Sequence, residues 1–183
     1  YTAVAGLAGA DMGKYVISSA TASKAYSIKP AVEASFTAPI AVAGLIYNGE
    51  SLTLCKAGKD DNGVKGTFSY TLDAQPVEAG TLPMSANAGK YNVGWTFMPT
   101  DTKSYLPSSG AFDVTIAPRP IRLSVTTSTF QHDGETHNPV VKISPLDGDV
   151  VTLVASTEAK NAVGNYTATF RLAGTEAGNY KLE

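Results

Sequence analysis

The stretch Ala88-Gly89-Lys90-Tyr91-Asn92-Val93-Gly94-Trp95-Thr96-Phe97 opens on a glycine turn and then alternates. Tyr91, Val93, Trp95 and Phe97 fall on one side, and Asn92, Gly94 and Thr96 on the other. Successive strand residues point to opposite faces, so this pattern describes a β-strand with one buried and one wet face. The same period of two recurs at Phe68, Tyr70 and Leu72, at Phe112, Val114 and Ile116, and at Tyr166, Ala168, Phe170 and Leu172. No segment carries a sustained 3.6-residue apolar stripe with caps. Short strands separated by Gly, Asn, Asp and Pro clusters predict an all-β chain built as a sandwich.

The glycine turn before Tyr91 returns before Tyr166, as Val163-Gly164-Asn165-Tyr166. Three tyrosine pairs, Tyr1 with Tyr15, Tyr91 with Tyr105 and Tyr166 with Tyr180, are each 14 positions apart. Asp11-Met12-Gly13-Lys14-Tyr15 and Glu176-Ala177-Gly178-Asn179-Tyr180 close on similar turns. One unit therefore recurs three times, and a repeat constrains a fold before any single residue does. Boundaries fall at prolines: Tyr26-Ser27-Ile28-Lys29-Pro30 resembles Val114-Thr115-Ile116-Ala117-Pro118, and the two prolines are 88 positions apart (118 minus 30). Proline donates no ladder hydrogen bond and ends a strand. Residues 1–30 then form the closing strands of a partial module, 31–117 a complete module, and 118–183 a module that stops before its final strand. The short proline joints, lengthened at Arg119-Pro120, predict stiff connections. Tyr47-Asn48-Gly49 and His132-Asp133-Gly134 read as hairpin turns, and Asp60-Asp61-Asn62-Gly63 as a longer hairpin loop. The incomplete ends predict exposed sheet edges, templates for strand exchange with another copy.

The chain has 183 residues, 43% of them hydrophobic, which is material for packed cores. Only 16% are charged and the net charge is −2, without a basic cluster for nucleic acid or an anionic membrane. No apolar run approaches membrane-helix length. A single cysteine, Cys55, excludes an intramolecular disulfide.

Candidate chemistry is sparse. His132 and His137, with Asp133 and Glu135 between them, offer metal-ligand atoms, but their spacing reads as a polar turn. Cys55 sits in the alternating run Leu52-Thr53-Leu54-Cys55 and reads as a small core residue. Asp60-Asp61-Asn62-Gly63 and Asp147-Gly148-Asp149 supply hard oxygens but lack the spacing of a calcium loop. Trp95, the only tryptophan, is in phase with the core rather than with an exposed sugar platform. Asn165-Tyr166-Thr167 matches a glycosylation sequon. No catalytic, cofactor-binding or metal residues are assigned, and the chain reads as a non-enzyme without cofactors.

The order of these motifs resembles the immunoglobulin-like repeats of bacterial surface proteins, the MBG and YDG types. Leu45-Ile46-Tyr47-Asn48-Gly49-Glu50-Ser51-Leu52, Phe68-Ser69-Tyr70-Thr71-Leu72-Asp73, Asn87-Ala88-Gly89-Lys90-Tyr91 and Val114-Thr115-Ile116-Ala117-Pro118 carry the likeness in the second module. His132-Asp133-Gly134, Asn138-Pro139 and Val163-Gly164-Asn165-Tyr166 carry it in the third, where His132 departs from the family tyrosine. The resemblance implies tandem immunoglobulin-like sandwiches in an extended array. It also implies an extracellular, cell-surface location and adjacent modules as partners. The function expected is a structural stalk, adhesin-like or fibre-forming. An adhesive or carbohydrate-binding module, and an accessory domain of a surface enzyme, stay open beside it.

Overall fold

The computed structural model describes residues 2–4, 11, 14, 23–25, 27–61 and 63–183. Tyr1, Tyr15 and Tyr26 lie outside the described residues. As the alternation predicts, the chain is all-β: strands dominate, joined by turns, with a 3₁₀ turn at Ala177–Asn179. Among the described residues no helix is long and apolar enough to cross a membrane, which says nothing about strands.

Strands β1 (Thr2–Val4) and β2 (Ser23–Ala25) form an antiparallel hairpin with Thr2 opposite Ala25. Five two-residue strands follow: β3 (Val32–Glu33), β4 (Ile40–Ala41), β5 (Leu45–Ile46), β6 (Leu52–Thr53) and β7 (Cys55–Lys56). The long strands β8 (Gly66–Leu72), β11 (Gly89–Pro99) and β13 (Ser108–Ala117) come next, interleaved with the two-residue β9 (Gln75–Pro76), β10 (Met84–Ser85) and β12 (Tyr105–Leu106). Residues beyond Pro118 supply β14 (Arg119–Ile121), β15 (Ser124–Thr127), β16 (Val140–Lys142), β17 (Thr152–Ala155), β18 (Phe170–Ala173) and β19 (Tyr180–Leu182).

The largest sheet has the order β5-β13-β11-β8-β9, with β5 parallel to β13 and the rest antiparallel. The smaller pairs β4–β7 and β6–β10 bring Leu54 and Cys55 into one buried cluster with Tyr70, Val93, Val114 and Ile116. The register read from β11 holds. Val93 and Phe97 are fully buried, and Tyr91 and Trp95 are half-buried against the same cluster. Phe36, outside any alternating run, completes this face: it stacks on Phe97 at 4.5 Å and meets Phe68 and Trp95 edge-on at 5.7 Å.

The turns differ from their sequence reading. Tyr47-Asn48-Gly49 is no hairpin, because β5 pairs with β13 while β6 pairs with β10; the turn carries the chain from one sheet to another. Gly49 still meets the need for positive φ, at +84°. Asp60, Asp61 and Gly63, whose neighbour Asn62 lies outside the described residues, fall between β7 and β8, strands of different sheets. The tight hairpin turn is Asp73-Ala74, between β8 and β9, with φ of +48° and +65°. No Asn-Gly or Asp-Gly pair marks it.

The expected strand from Tyr166 to Leu172 is also shorter, since β18 starts at Phe170. Among the described residues its ladder partner is β17.

Candidate functional site

The most heavily built polar cluster lies where residues 31–117 meet residues 118–183. Parallel pairing of β14 with β19 seats Tyr180 opposite Arg119, directly after the end of β13. The sheet-to-sheet turn puts Tyr47 on the facing side, anchored by its backbone N–H, which donates to Ala117 O at 2.9 Å. Tyr47 is 4% exposed and Tyr180 5%, and their rings meet edge-on at 5.5 Å.

Both hydroxyls turn to Asp149. Tyr47 Oη donates to Oδ2 at 2.9 Å, and Tyr180 Oη donates to the same oxygen at 2.5 Å while accepting from Leu146 N–H at 2.9 Å. A second bridge crosses alongside. Asn179, buried, accepts from Ala88 N–H at 2.8 Å through Oδ1 and donates from Nδ2 to Asn87 Oδ1 at 3.2 Å. Every buried polar side-chain atom among the described residues has a partner, as a low-dielectric interior demands. Burial, and next the hydrogen bond to the Asp149 carboxylate, push the Tyr47 hydroxyl up to about 12. Tyr180 is raised as well, by burial first and then by its bond to Asp149. Apolar contacts seal the joint: Ile121, Val151 and Tyr180 belong to the same buried cluster as Tyr47 and Ile116, with Leu146 and Ile143 packed on it.

The prolines expected to stiffen this joint are exposed, and Pro120 lies inside β14 opposite Lys181. Side chains fill the joint instead. Asp149, read as part of a plain Asp-Gly-Asp turn, is its polar centre. The signal that could have found it was the Tyr47 turn itself, whose aromatic needs a partner once buried.

The other sequence candidates are dispersed. Cys55 is buried, and burial raises its thiol pKa. His137 Nε2 lies 2.9 Å from Asp133 Oδ1, which also accepts from Glu135 N–H. The His137 bond, first, and the Glu135 amide hold the Asp133 carboxyl below its usual range. His137 also stacks on Phe130 at 4.5 Å. Among the described residues, no three His, Cys, Asp or Glu side chains gather as a metal site. Tyr166 folds back so that its hydroxyl donates to Ala162 O at 3.1 Å, with its ring over Gly164. Tyr91 makes the same clasp over Gly89, donating to Asn87 O at 2.7 Å. The Gly-x-Tyr repeat is thus a local backbone lock, the glycine lying under the ring.

No family model matches the chain, and neither a curated protein nor a solved structure does.

Proposed function

We propose that the chain is a segment of a structural stalk: tandem immunoglobulin-like modules, 31–117 and 118–183, joined rigidly at Asp149. The buried joint of Tyr47, Asp149 and Tyr180 carries this reading. A joint with interior burial and paired polar groups holds its two sides in one arrangement, which is what a spacer requires and a flexible linker does not supply.

The immunoglobulin-like reading draws on strand order. The β5-β13-β11-β8-β9 sheet opposite β4, β6, β7 and β10 parallels the two-sheet scheme of that fold. The Tyr91 clasp at the start of β11 parallels its tyrosine corner. The repeat reading draws on register. Phe97 pairs with Phe68 as Leu172 pairs with Leu153, and the parallel pair β3–β12 returns as β14–β19. By the same comparison β1–β2, with Thr2 opposite Ala25, matches Asn92 opposite Asp113 in β11–β13, so these two strands read as closing strands. A bacterial cell-surface setting, and kinship with MBG or YDG repeats, rest on the motif resemblance.

Small-angle scattering of the full chain tests the stalk. An extended, single-arrangement profile is expected, and a compact globule with the segments folded back on each other would sink it. A second reading has one observation in its favour. Phe130, His137 and Tyr166, with Gln131, Lys160 and Asn165, line an open cleft of about 490 Å³ that joins aromatic faces to polar groups, as saccharide sites do. Saturable binding on a glycan array, lost in Tyr166→Ala, would promote that reading.

A further inference from the structure

Two turns of this chain are built alike and differ in one functional group. Asn48 Oδ1 accepts from the Glu50 N–H at 2.9 Å, and Asp133 Oδ1 accepts from the Glu135 N–H at 2.9 Å. The glycine in between, Gly49 or Gly134, has φ of +84° in both. One turn carries an amide where the other carries an acid. The same backbone shape accommodates either group, and a hydrolysis is all that separates them.

The Asn48 turn is arranged for that hydrolysis. Folding Oδ1 onto the Glu50 amide carries Cγ back over the Asn48–Gly49 peptide unit, toward the Gly49 nitrogen. Gly49 has no Cβ to block the approach. Among the described residues no group accepts from the Gly49 N–H. Asn48, Gly49 and Glu50 are exposed, so water and hydroxide reach them. The Glu50 N–H points at the oxygen on which negative charge develops when the nitrogen attacks. Holding the reacting atoms in one turn removes the entropy cost of bringing them together. Asp133 lacks this reactivity. Its bond to His137, first, and the Glu135 amide hold it as a carboxylate, a poor electrophile.

We propose that Asn48-Gly49 is a self-modifying site, at which the folded turn converts its asparagine to aspartate and isoaspartate and the isoaspartate frees Tyr47 from the joint. Solvent base removes the Gly49 N–H proton. The nitrogen bonds to Asn48 Cγ, and the Cγ–Nδ2 bond breaks to release ammonia, which takes its proton from water. The ring that remains is a succinimide. Water then breaks the bond from nitrogen to Cγ, giving aspartate, or the bond from nitrogen to the main-chain carbonyl carbon, giving isoaspartate. Isoaspartate runs the main chain through Cγ and lengthens it by one carbon. The turn is pinned on both sides of that carbon. Tyr47 N–H is tied to Ala117 O at 2.9 Å, and a Cβ on Gly49 would stand 3.4 Å from Leu146 Cδ1. A longer chain cannot keep both contacts and also hold the Tyr47 hydroxyl on Asp149. The proposal needs the turn and the joint, and is independent of the stalk.

Peptide mapping of the full chain, incubated at mildly alkaline pH both folded and in urea, reads the conversion. It also separates Asn48 from Asn62-Gly63, the other Asn-Gly pair. Asn48 should convert in the folded chain at least as fast as in the urea-unfolded chain, because folding holds the reacting atoms together. The titration of Tyr47, whose hydroxyl the joint pushes up to about 12, then reads the consequence. Asn48→Asp, the aspartate product, should leave that titration unchanged, since Asp133 occupies the same turn without distorting it. The isoaspartate form, separated by chromatography, should lose the Tyr47 contribution to late titration. An intact Asn48, or slower conversion in the folded chain than in urea, would overturn the proposal. An isoaspartate form whose Tyr47 still titrates late would overturn it as well.

Discussion

Tyr47 and Tyr180 donate to the same oxygen of Asp149, one hydroxyl from each side of the joint. Removing the acceptor therefore leaves two buried hydroxyls to find new partners, and only Tyr180 keeps a bond, from Leu146 N–H. Asp149→Ala should cost about 2–3 kcal/mol, within the range for hydrogen bonds to a charged group and for the unpaired donors left behind. Urea denaturation measures it. Paired spin labels on the two segments should show a broadened distance distribution in Asp149→Ala and an unchanged one in Pro118→Gly. The reverse pattern would return the stiffness to the prolines.

High pH should open the same joint. Folding holds Tyr47 neutral, with its pKa raised from 10.0 to about 12. A raised folded-state value means the contribution is fully present below the unfolded pKa and is lost as pH climbs through the folded one. Stability should fall between pH 10 and about 12, the bounds set by those two values. Among the described residues Tyr47, Tyr70 and Tyr180 are raised, so tyrosinate absorbance should show a late-titrating fraction. Tyr47→Phe should shrink that late fraction; an identical titration curve would contradict the assignment.

Trp95 packs over Gly110, where an added Cβ would lie 2.7 Å from the indole Cζ2. Trp95→Ala should destabilise by about 3 kcal/mol, the lower end for a large aromatic because the ring is half-buried. Gly110→Ala should shift Trp95 fluorescence and lower the melting temperature, because the ring must move to admit the methyl. Wild-type emission and melting in Gly110→Ala would refute the contact.

The hairpin turn at Asp73-Ala74 holds two non-glycine residues at positive φ. Alanine pays a steric penalty there that glycine does not. Ala74→Gly should stabilise the chain by about 0.5–1 kcal/mol, after allowance for glycine's greater unfolded-state freedom. Calorimetry gives the sign, and a loss of stability would contradict the strained geometry.

The long strands were legible because half-buried strands alternate, and Val93, Phe97, Val114 and Ile116 bury as that alternation requires. Phe36 was not, because a half-buried aromatic outside a regular strand leaves no period. The Asp73-Ala74 turn carried no glycine to announce it. The Tyr-Asn-Gly motif disclosed a turn but not which strands it joined, since pairing is a long-range choice. Asp149 was hidden for the same reason: its partner Tyr47 lies 102 positions away, and local pattern says nothing about such pairs.

The parallel pairing of β5 with β13 has a mechanical meaning. Tension applied along the chain would pull the early strand backward and the late strand forward, sliding them past each other. Bonds between parallel strands loaded that way bear the force together, unlike a hairpin, which unzips one bond at a time. Leu45 and Ile46 opposite Ile116 and Ala117, and Arg119 to Ile121 opposite Tyr180 to Leu182, are both placed for shear. A chain under tension would meet its greatest resistance at these short ladders, and single-molecule pulling would register them as abrupt ruptures rather than gradual yielding.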